Sequence, residues 1–282
     1  MNRPAAVAGT WYPRSRGALT REVDEYLAGV EDVPRGRVHA VIAPHAGIMF
    51  SGPIAAHAYK AAETGAPYDA AILLGPSHFA GFDGIALFPD GAFECPLGPA
   101  AVDAALGVEL LAADPIVQPL PAVHGREHSL EMQLPFFKRL LPDVPIVPLL
   151  MGYQTRDTIE RLAAALGKVA IGRRILLVAS TDLSHYLDAR TAQRHDGRVC
   201  DRVAAFDADG LLQLFEEYPE GDRGRYVGCG AGPAIAVMRA ARTRGAREGR
   251  VLKYGHSGEI SGDESGVVGY VAAALGTFTD VH

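Results

Sequence analysis

The sequence alternates short, continuously apolar runs with longer segments whose apolar residues recur at helical spacing. The apolar runs are bounded by Gly and Pro and are typical of strands covered on both faces; they lie at 39–43, 70–74, 84–88, 145–150, 175–179, 251–255 and 267–273. The helical patterns lie at 18–30, 52–64, 102–112, 129–140, 156–170, 191–205, 210–218 and 232–244. This alternation predicts an α/β fold in which a mostly parallel, mixed sheet lies between two layers of helices. The last two strands follow each other without a long helix, which predicts an antiparallel pair.

The composition restricts the class of protein further. With 48% hydrophobic residues the chain is not disordered, and we expect residues 1–282 to form a single domain. The formal net charge of −6 argues against a general nucleic-acid binder, and no apolar run approaches the roughly 20 residues that span a bilayer. Three widely spaced cysteines without a CxxC pair are typical of a reducing cytoplasm. Two short polar segments, 31–37 and 216–228, are predicted as surface loops.

Three of the predicted strands lead within a few residues to a histidine: His45, His78 and His185. In open α/β sheets, ligands bind just beyond the carboxyl ends of the strands. If these strands are neighbours, their loops bring three imidazoles to one crevice, which suits iron, copper or zinc. The alternative for each residue is an ordinary surface or hydrogen-bonded histidine.

A cysteine in a glycine-rich turn is a further candidate. Cys229 lies in the turn GCGAGP, directly before a predicted helix. A cysteine at a helix N-terminus is biased toward the thiolate, since the helix dipole favours negative charge there. The alternative is a tight turn with an incidental buried cysteine.

Two polar segments supply candidate acids and bases. Glu127 and His128 precede a helical pattern for which Ser129 is the predicted N-cap, and the adjacent carboxylate would make His128 more basic. Asp182 lies three residues before His185 and could orient a ring or polarise a water. An exposed charged loop and a simple helix cap are the respective alternatives.

Several motifs in this order resemble the Memo family, whose bacterial and archaeal members are named as protein B of the AmmeMemoRadiSam system. The motifs are AGTWYP at 8–13, IAPHAG at 42–47, SGPIAAHAY at 51–59, LGPSH at 74–78, EHSLEMQLPF at 127–136, STDLSHY at 180–186 and GCGAGP at 228–233. The resemblance spans nearly the whole chain. It implies a fold like that of the LigB-type, class III extradiol dioxygenases.

The resemblance also implies a metal site of two histidines and one cysteine. Matched motif by motif, the ligands are His45, His78 and Cys229. The strand pattern alone favours His185 as the third ligand, whereas the resemblance favours Cys229 and leaves His185 nearby; we predict Cys229. Two imidazoles and a thiolate favour iron as the metal, with copper or zinc as alternatives to it.

The same resemblance gives His128, Asp182 and His185 as the catalytic groups. It implies redox or dioxygenase-like chemistry on an unknown small molecule. The alternative is a non-catalytic adaptor that binds a peptide or protein in the same cleft. A radical SAM enzyme and an AMMECR-type protein are the partners that the system's name implies, and neither nucleic acid nor membrane is expected.

Overall fold

The computed structural model describes residues 1–169 and 171–279. Its strands are β1 (Asn2–Arg3), β2 (Arg35–Ala43), β3 (Ala70–Pro76), β4 (Ile85–Leu87), β5 (Ala92–Phe93), β6 (Ala100–Ala101), β7 (Val117–Pro119), β8 (Ile146–Met151), β9 (Ile175–Ser180), β10 (His185–Leu187), β11 (Glu248–His256) and β12 (Val267–Thr279). Its helices are α1 (Arg16–Ala28), α2 (Ile48–Gly65), α3 (Ala104–Ala113), α4 (Leu134–Leu140), α5 (Arg156–Lys168), α6 (Ala189–Ala204), α7 (Ala208–Glu216), α8 (Arg223–Tyr226), α9 (Ala231–Thr243) and α10 (Gly258–Ser261).

One large mixed sheet organises these elements. Its strands run in the order β10-β12-β2-β9-β3-β8-β4-β7, and β11 pairs with β12. The centre, from β2 through β9 and β3 to β8, is parallel, whereas β12 pairs antiparallel with both β2 and β11. The mixed, mostly parallel centre and the C-terminal antiparallel pair are therefore as predicted.

Helices cover both faces of this sheet. Successive residues of a strand point to opposite faces, so Ile42 packs in a core with α5, α7 and α9, whereas Val41 packs in the other core with α1, α2 and α4. Strands buried on both sides explain the continuously apolar runs in the sequence. The α/β fold class predicted from the sequence is confirmed. That residues 1–282 form a single domain stays a prediction.

Several predicted boundaries are wrong. The segment 31–37 is not wholly a loop, because β2 already begins at Arg35 and pairs with the end of β12. The segment 216–228 holds α8, whose Arg223 lies over the ring of Phe215 with 4.6 Å to its centroid. The predicted end of the fifth helical pattern, Ala170, lies outside the described residues.

The predicted helix 129–140 begins later than expected. A 3₁₀ turn, Glu131–Gln133, precedes α4, and Pro135 lies in the first turn of that helix, where it needs no N–H partner. Ser129 is not the N-cap: its Oγ donates a hydrogen bond to the carbonyl of Pro76, at 2.9 Å. The proline therefore restarts the helix, and the serine ties the preceding loop to the end of β3.

The N-terminal segment is anchored by one buried carboxylate. Glu131 accepts hydrogen bonds from Arg3 Nη1 at 2.6 Å, from Tyr12 Oη at 2.6 Å, and from the backbone N–H groups of Ala6 and Val7 at 2.7 and 3.0 Å. The side chains of Arg3 and Glu131 are 2% and 0% exposed. This anchoring holds residues 3–12 across the sheet edge at which the predicted site lies.

Among the described residues, none of the helices combines the length and apolarity that crossing a bilayer requires.

Candidate metal centre

The strands that precede the three histidines are neighbours in the sheet, in the order β2, β9, β3. Their carboxyl ends therefore meet at one edge, as the sequence predicted. At this edge the ligand atoms of His45, His78 and Cys229 all lie within 4.8 Å of one another. Residues separated by up to 184 positions along the chain thus converge at one point.

Two glycines allow Cys229 to reach this point. A Cβ at Gly228 would lie 2.7 Å from the carbonyl oxygen of Asp182, and one at Gly230 would lie 2.3 Å from that of Ser180. Any larger residue would push the turn away from the end of β9. The backbone N–H of Gly230 also donates to Thr181 Oγ1, at 2.9 Å.

Hydrogen bonds fix the tautomer of His45. The hydroxyl of Ser180 donates its single proton to the carbonyl of Ser129, at 2.6 Å, and accepts from Gln133 Nε2, at 2.7 Å. It can therefore only accept from His45 Nδ1, at 2.8 Å, so that Nδ1 carries the proton. The lone pair of His45 Nε2 then faces Cys229 Sγ, at 3.2 Å.

A carboxylate orients His78 in the same way. Glu127 Oε1 lies 2.9 Å from His78 Nδ1, and the same carboxylate accepts from the backbone N–H groups of His78, His128 and Ser129. Burial raises the pKa of Glu127, but its contacts with His78 outweigh burial and bring it to about 2. Burial lowers the pKa of His78, but Cys229 and Glu127 raise it to about 10.

A second group of side chains, His78, Glu127 and His128, is also spaced closely enough to surround an ion. Glu127 Oε1 already accepts from three N–H groups, and Oε2 accepts from the backbone N–H of His78. In this arrangement the group acts as a hydrogen-bonded support for His78.

The environment of Cys229 differs from the expectation. Burial raises the pKa of this thiol, and the neighbouring charge of Asp182 adds to the effect, while His78 opposes it. The position next to α9 does not overcome the loss of solvation. Burial therefore opposes the predicted bias of this residue toward the thiolate.

His128 is also less basic than expected. Burial, followed by the charge of His78, lowers its pKa to about 4. Glu127 lies 3.6 Å from His128 Nδ1 and directs its shorter contact to His78 instead. The His128 ring stacks on that of His78, with centroids 4.6 Å apart, and packs against Trp11, at 4.3 Å.

Asp182 and His185 flank the cluster from the end of β9. Asp182 Oδ1 accepts from the backbone N–H of His45, at 2.7 Å, and burial raises its pKa. His185 Nδ1 faces two carbonyls, those of Leu183 at 2.8 Å and Gly224 at 3.1 Å. Carbonyls only accept, so Nδ1 carries the proton and Nε2 of the neutral ring is free to accept one. Within the described residues, His185 belongs to neither group spaced to hold an ion.

All six predicted site residues line one open cavity of about 600 Å³. Sequence reasoning missed three other lining residues: Trp11, Tyr186 and Arg225. Trp11 lies in the AGTWYP motif, which is the signal that could have identified it. Tyr186, 73% exposed at a φ of 59°, is the last residue of the STDLSHY motif, which is the corresponding signal for it.

Several known proteins are similar to this chain in sequence or in fold. A family model described as "Memo-like protein" matches residues 3–274. A MEMO1 family protein of Methanopyrus kandleri is 36% identical, with 96% of this chain and 98% of the relative covered. A MEMO1 family protein of Methanothermobacter thermautotrophicus is 34% identical, with 96% and 99% covered. The crystal structure of an uncharacterized protein from Escherichia coli K12 shares the fold, with a TM-score of 0.60 and 16% identity over 85% of this chain and all of that one. The match over nearly its whole length shows that this chain belongs to the Memo family.

Proposed function

We propose that His45, His78 and Cys229 hold a metal ion, with iron as the first choice and copper or zinc as alternatives. The observation that carries the proposal is the convergence of these three ligand atoms within 4.8 Å. Each imidazole has its Nδ1 on an acceptor behind it, Ser180 or Glu127, so that Nε2 is directed at the cluster. Metal-binding histidines characteristically have this second contact.

The chemistry of the donor set supports a soft or borderline cation. Two nitrogens and one sulfur favour copper, zinc or iron over magnesium or calcium. Burial raises the pKa of Cys229, and a cation at the cluster would offset this effect, because a coordinated thiol loses its proton. Two neutral imidazoles and one thiolate would leave a divalent ion with a net charge of +1.

We further propose a redox or dioxygenase-like reaction on a small molecule that enters the 600 Å³ cavity. A bound iron or copper ion would supply the electron exchange with dioxygen that no side chain provides. His185 accepts a proton at Nε2, because its Nδ1 proton is held by backbone carbonyls. Asp182 holds the main chain of His45 in place, and His128 forms a wall of the cavity.

Metal content tests this proposal. Protein purified without oxygen and incubated with Fe²⁺ should hold about one ion per chain by elemental analysis. We expect His45→Ala, His78→Ala and Cys229→Ala to fall to about a tenth of that value or less, since each leaves two ligands. His57→Ala and Cys200→Ala are the matched controls, because both residues lie outside the cluster. Wild-type metal content in all three ligand variants would refute the proposal.

A second function is favoured by the aromatic residues around the cleft. Trp11, Phe79 and Tyr186 are 37%, 52% and 73% exposed, and exposed apolar groups at a cavity mouth are typical of a binding surface for a peptide or protein. Oxygen consumption by the iron-loaded protein with catechol-type and other candidate substrates separates the two functions. Absence of turnover, together with binding to a peptide array that Trp11→Ala abolishes, would establish the adaptor function instead.

The last two parts of the proposal concern the partner proteins and the cellular compartment. A radical SAM enzyme and an AMMECR-type protein are proposed as partners on the family's name, and co-purification from the native host tests them. A reducing cytoplasm is proposed because Cys95, Cys200 and Cys229 are all free in the structure.

A further inference from the structure

A cluster of basic residues lies at the opposite end of β2 from the proposed metal centre. Arg37 and His39 belong to the first half of this strand, Arg174 directly precedes β9, and Arg244 ends α9. These four residues line a small cavity of about 20 Å³. A space of this size is slightly larger than the roughly 10–15 Å³ that one water requires.

The β-ladder places His39 in this cavity. Ala40 pairs with Leu275 and Val38 pairs with Gly276, so His39 is an extra residue of β2 without a partner on β12. Such a bulge redirects a side chain out of the regular alternation. Pairing between β2 and β9 begins only at Ala40, so no neighbouring strand covers this part of β2 on its other side.

His39 is buried without a partner. It is 6% exposed, and among residues 1–169 and 171–279 no hydrogen bond to its ring nitrogens is found; unlike His124 Nδ1 and His256 Nδ1, these nitrogens are not sealed off, since they open on the cavity. Burial, followed by the charges of Arg37, Arg244 and Arg174, lowers its pKa to about 4. An imidazole nitrogen that opens on a cavity takes its hydrogen bond from whatever occupies that cavity, either a water or a polar group of a ligand.

Four arginines line the cavity, and among the described residues only Arg173 forms an ion pair with a carboxylate. Arg244 donates to the carbonyls of Val169 and Arg173, and Arg174 Nη2 donates to that of Gly65. In the part of the chain that the structure describes, no ion pair involves Arg37, Arg174 or Arg244, whereas the adjacent Arg173 pairs with Asp103. Four guanidinium groups and one carboxylate partner thus leave an excess of positive charge around one cavity in a protein with a net charge of −6.

We propose that Arg37, His39, Arg174 and Arg244 form a binding site for a phosphoryl or sulfuryl oxyanion. The planar donors of arginine match the paired oxygens of such a group, and the neutral imidazole supplies one further N–H. The enclosed volume admits one oxygen of the anion, while its remaining oxygens stay at the surface beside the exposed Arg37. The anion supplies the partner that His39 lacks and the negative charge that the arginines lack.

The experiment follows the ring of His39 by NMR in protein prepared without phosphate or sulfate. The 1H–13C resonance of the ring is assigned by its loss in His39→Gln. Inorganic phosphate, added at constant ionic strength against sodium chloride, should shift this resonance along a saturable curve. Arg37→Gln should weaken phosphate binding about 10-fold or more, because it removes one charge-assisted contact.

Arg35→Gln is the matched control. Arg35 is exposed on the same strand, carries the same charge and does not line the cavity, so we expect its phosphate affinity to stay within about twofold of the wild type. Arg37 is exposed, so its substitution should leave folding intact. Arg244→Gln serves only as a second variant, because it also removes contacts to main-chain carbonyls that support the fold.

A parallel titration with phenyl phosphate identifies the source of the anion. Equal binding of phenyl phosphate and inorganic phosphate would assign the site to the terminal phosphoryl group of a larger molecule, whereas inorganic phosphate alone would assign it to a free ion. A shift that does not saturate, or one that chloride alone reproduces, overturns the proposal. Equal weakening by Arg35→Gln and Arg37→Gln also overturns it, since general surface charge would then explain the effect.

Discussion

Replacing Glu131 with glutamine is expected to lower the free energy of unfolding by about 3–5 kcal/mol. The side chain of Arg3 is 2% exposed and would keep its charge while losing its only carboxylate partner among the described residues. The amide NH₂ of glutamine would also replace one of the two acceptor oxygens, so that it would face either Arg3 and Ala6 or Val7 and Tyr12, all of which donate. The loss arises chiefly from a buried cation without a counter-charge and not from the absence of an attractive contact.

Denaturant unfolding followed by tryptophan fluorescence measures this effect directly. The chain has a single tryptophan, Trp11, which lies next to Tyr12 in the segment that Glu131 anchors. Glu63→Gln is the control, because its pair with Lys60 is partly exposed and should contribute less than about 1 kcal/mol. Similar unfolding curves for the two variants would show that Glu131 does not anchor the segment.

Replacing Glu127 with glutamine should weaken metal binding about 10- to 100-fold, provided that the proposed metal site is correct. The carboxylate holds the His78 ring through Nδ1 and the His78 backbone through its N–H. A glutamine side chain has one acceptor oxygen where four N–H groups now point, so part of this set would lose its partner. The ring of His78 would then no longer be fixed with Nε2 toward Cys229.

Competition between the protein and a chelating indicator for Zn²⁺, which has no redox chemistry, measures the affinity. Glu220→Gln is the control, since Glu220 is an exposed carboxylate of the adjoining cavity that is not among the contacts of His78. Unchanged zinc affinity in Glu127→Gln, with normal affinity in the control, would contradict the orienting role of Glu127. If zinc affinity is lost in Cys229→Ala but kept in Glu127→Gln, the proposed metal site stands and only the orienting role of Glu127 is wrong.

The sequence predicted the features that depend on regular patterns. Continuous apolar runs identified β2, β3 and β9, and the rule for strand ends then placed His45 and His78 at one edge. Applied alone, this rule favoured His185 as the third ligand, because no predicted strand directly precedes Cys229. The family resemblance favoured Cys229, and the structure brings its sulfur to 3.2 Å from His45 Nε2.

What the sequence could not predict depends on tertiary burial. Glu131 lies in a polar motif that also suits a helix start, and only the fold shows that it is fully buried against Arg3. His128 is adjacent to Glu127 in the sequence, but the carboxylate of Glu127 lies closer to His78 Nδ1, at 2.9 Å, than to His128 Nδ1, at 3.6 Å. Short strands such as His185–Leu187 are stabilised by their neighbours and carry too few residues for a recognisable pattern.

The position of β12 has a consequence for how the site is assembled during protein synthesis. This strand is synthesised after all six predicted site residues, yet it lies between β2 and β10 and exchanges hydrogen bonds with Leu183 and Ser184 through Gly269. A nascent chain therefore carries His45, His78 and even Cys229 while the loop bearing Asp182 and His185 still lacks its support. The cavity around the cluster is therefore completed only when β12 has paired with its neighbours, although the three proposed ligands all precede this strand in the chain.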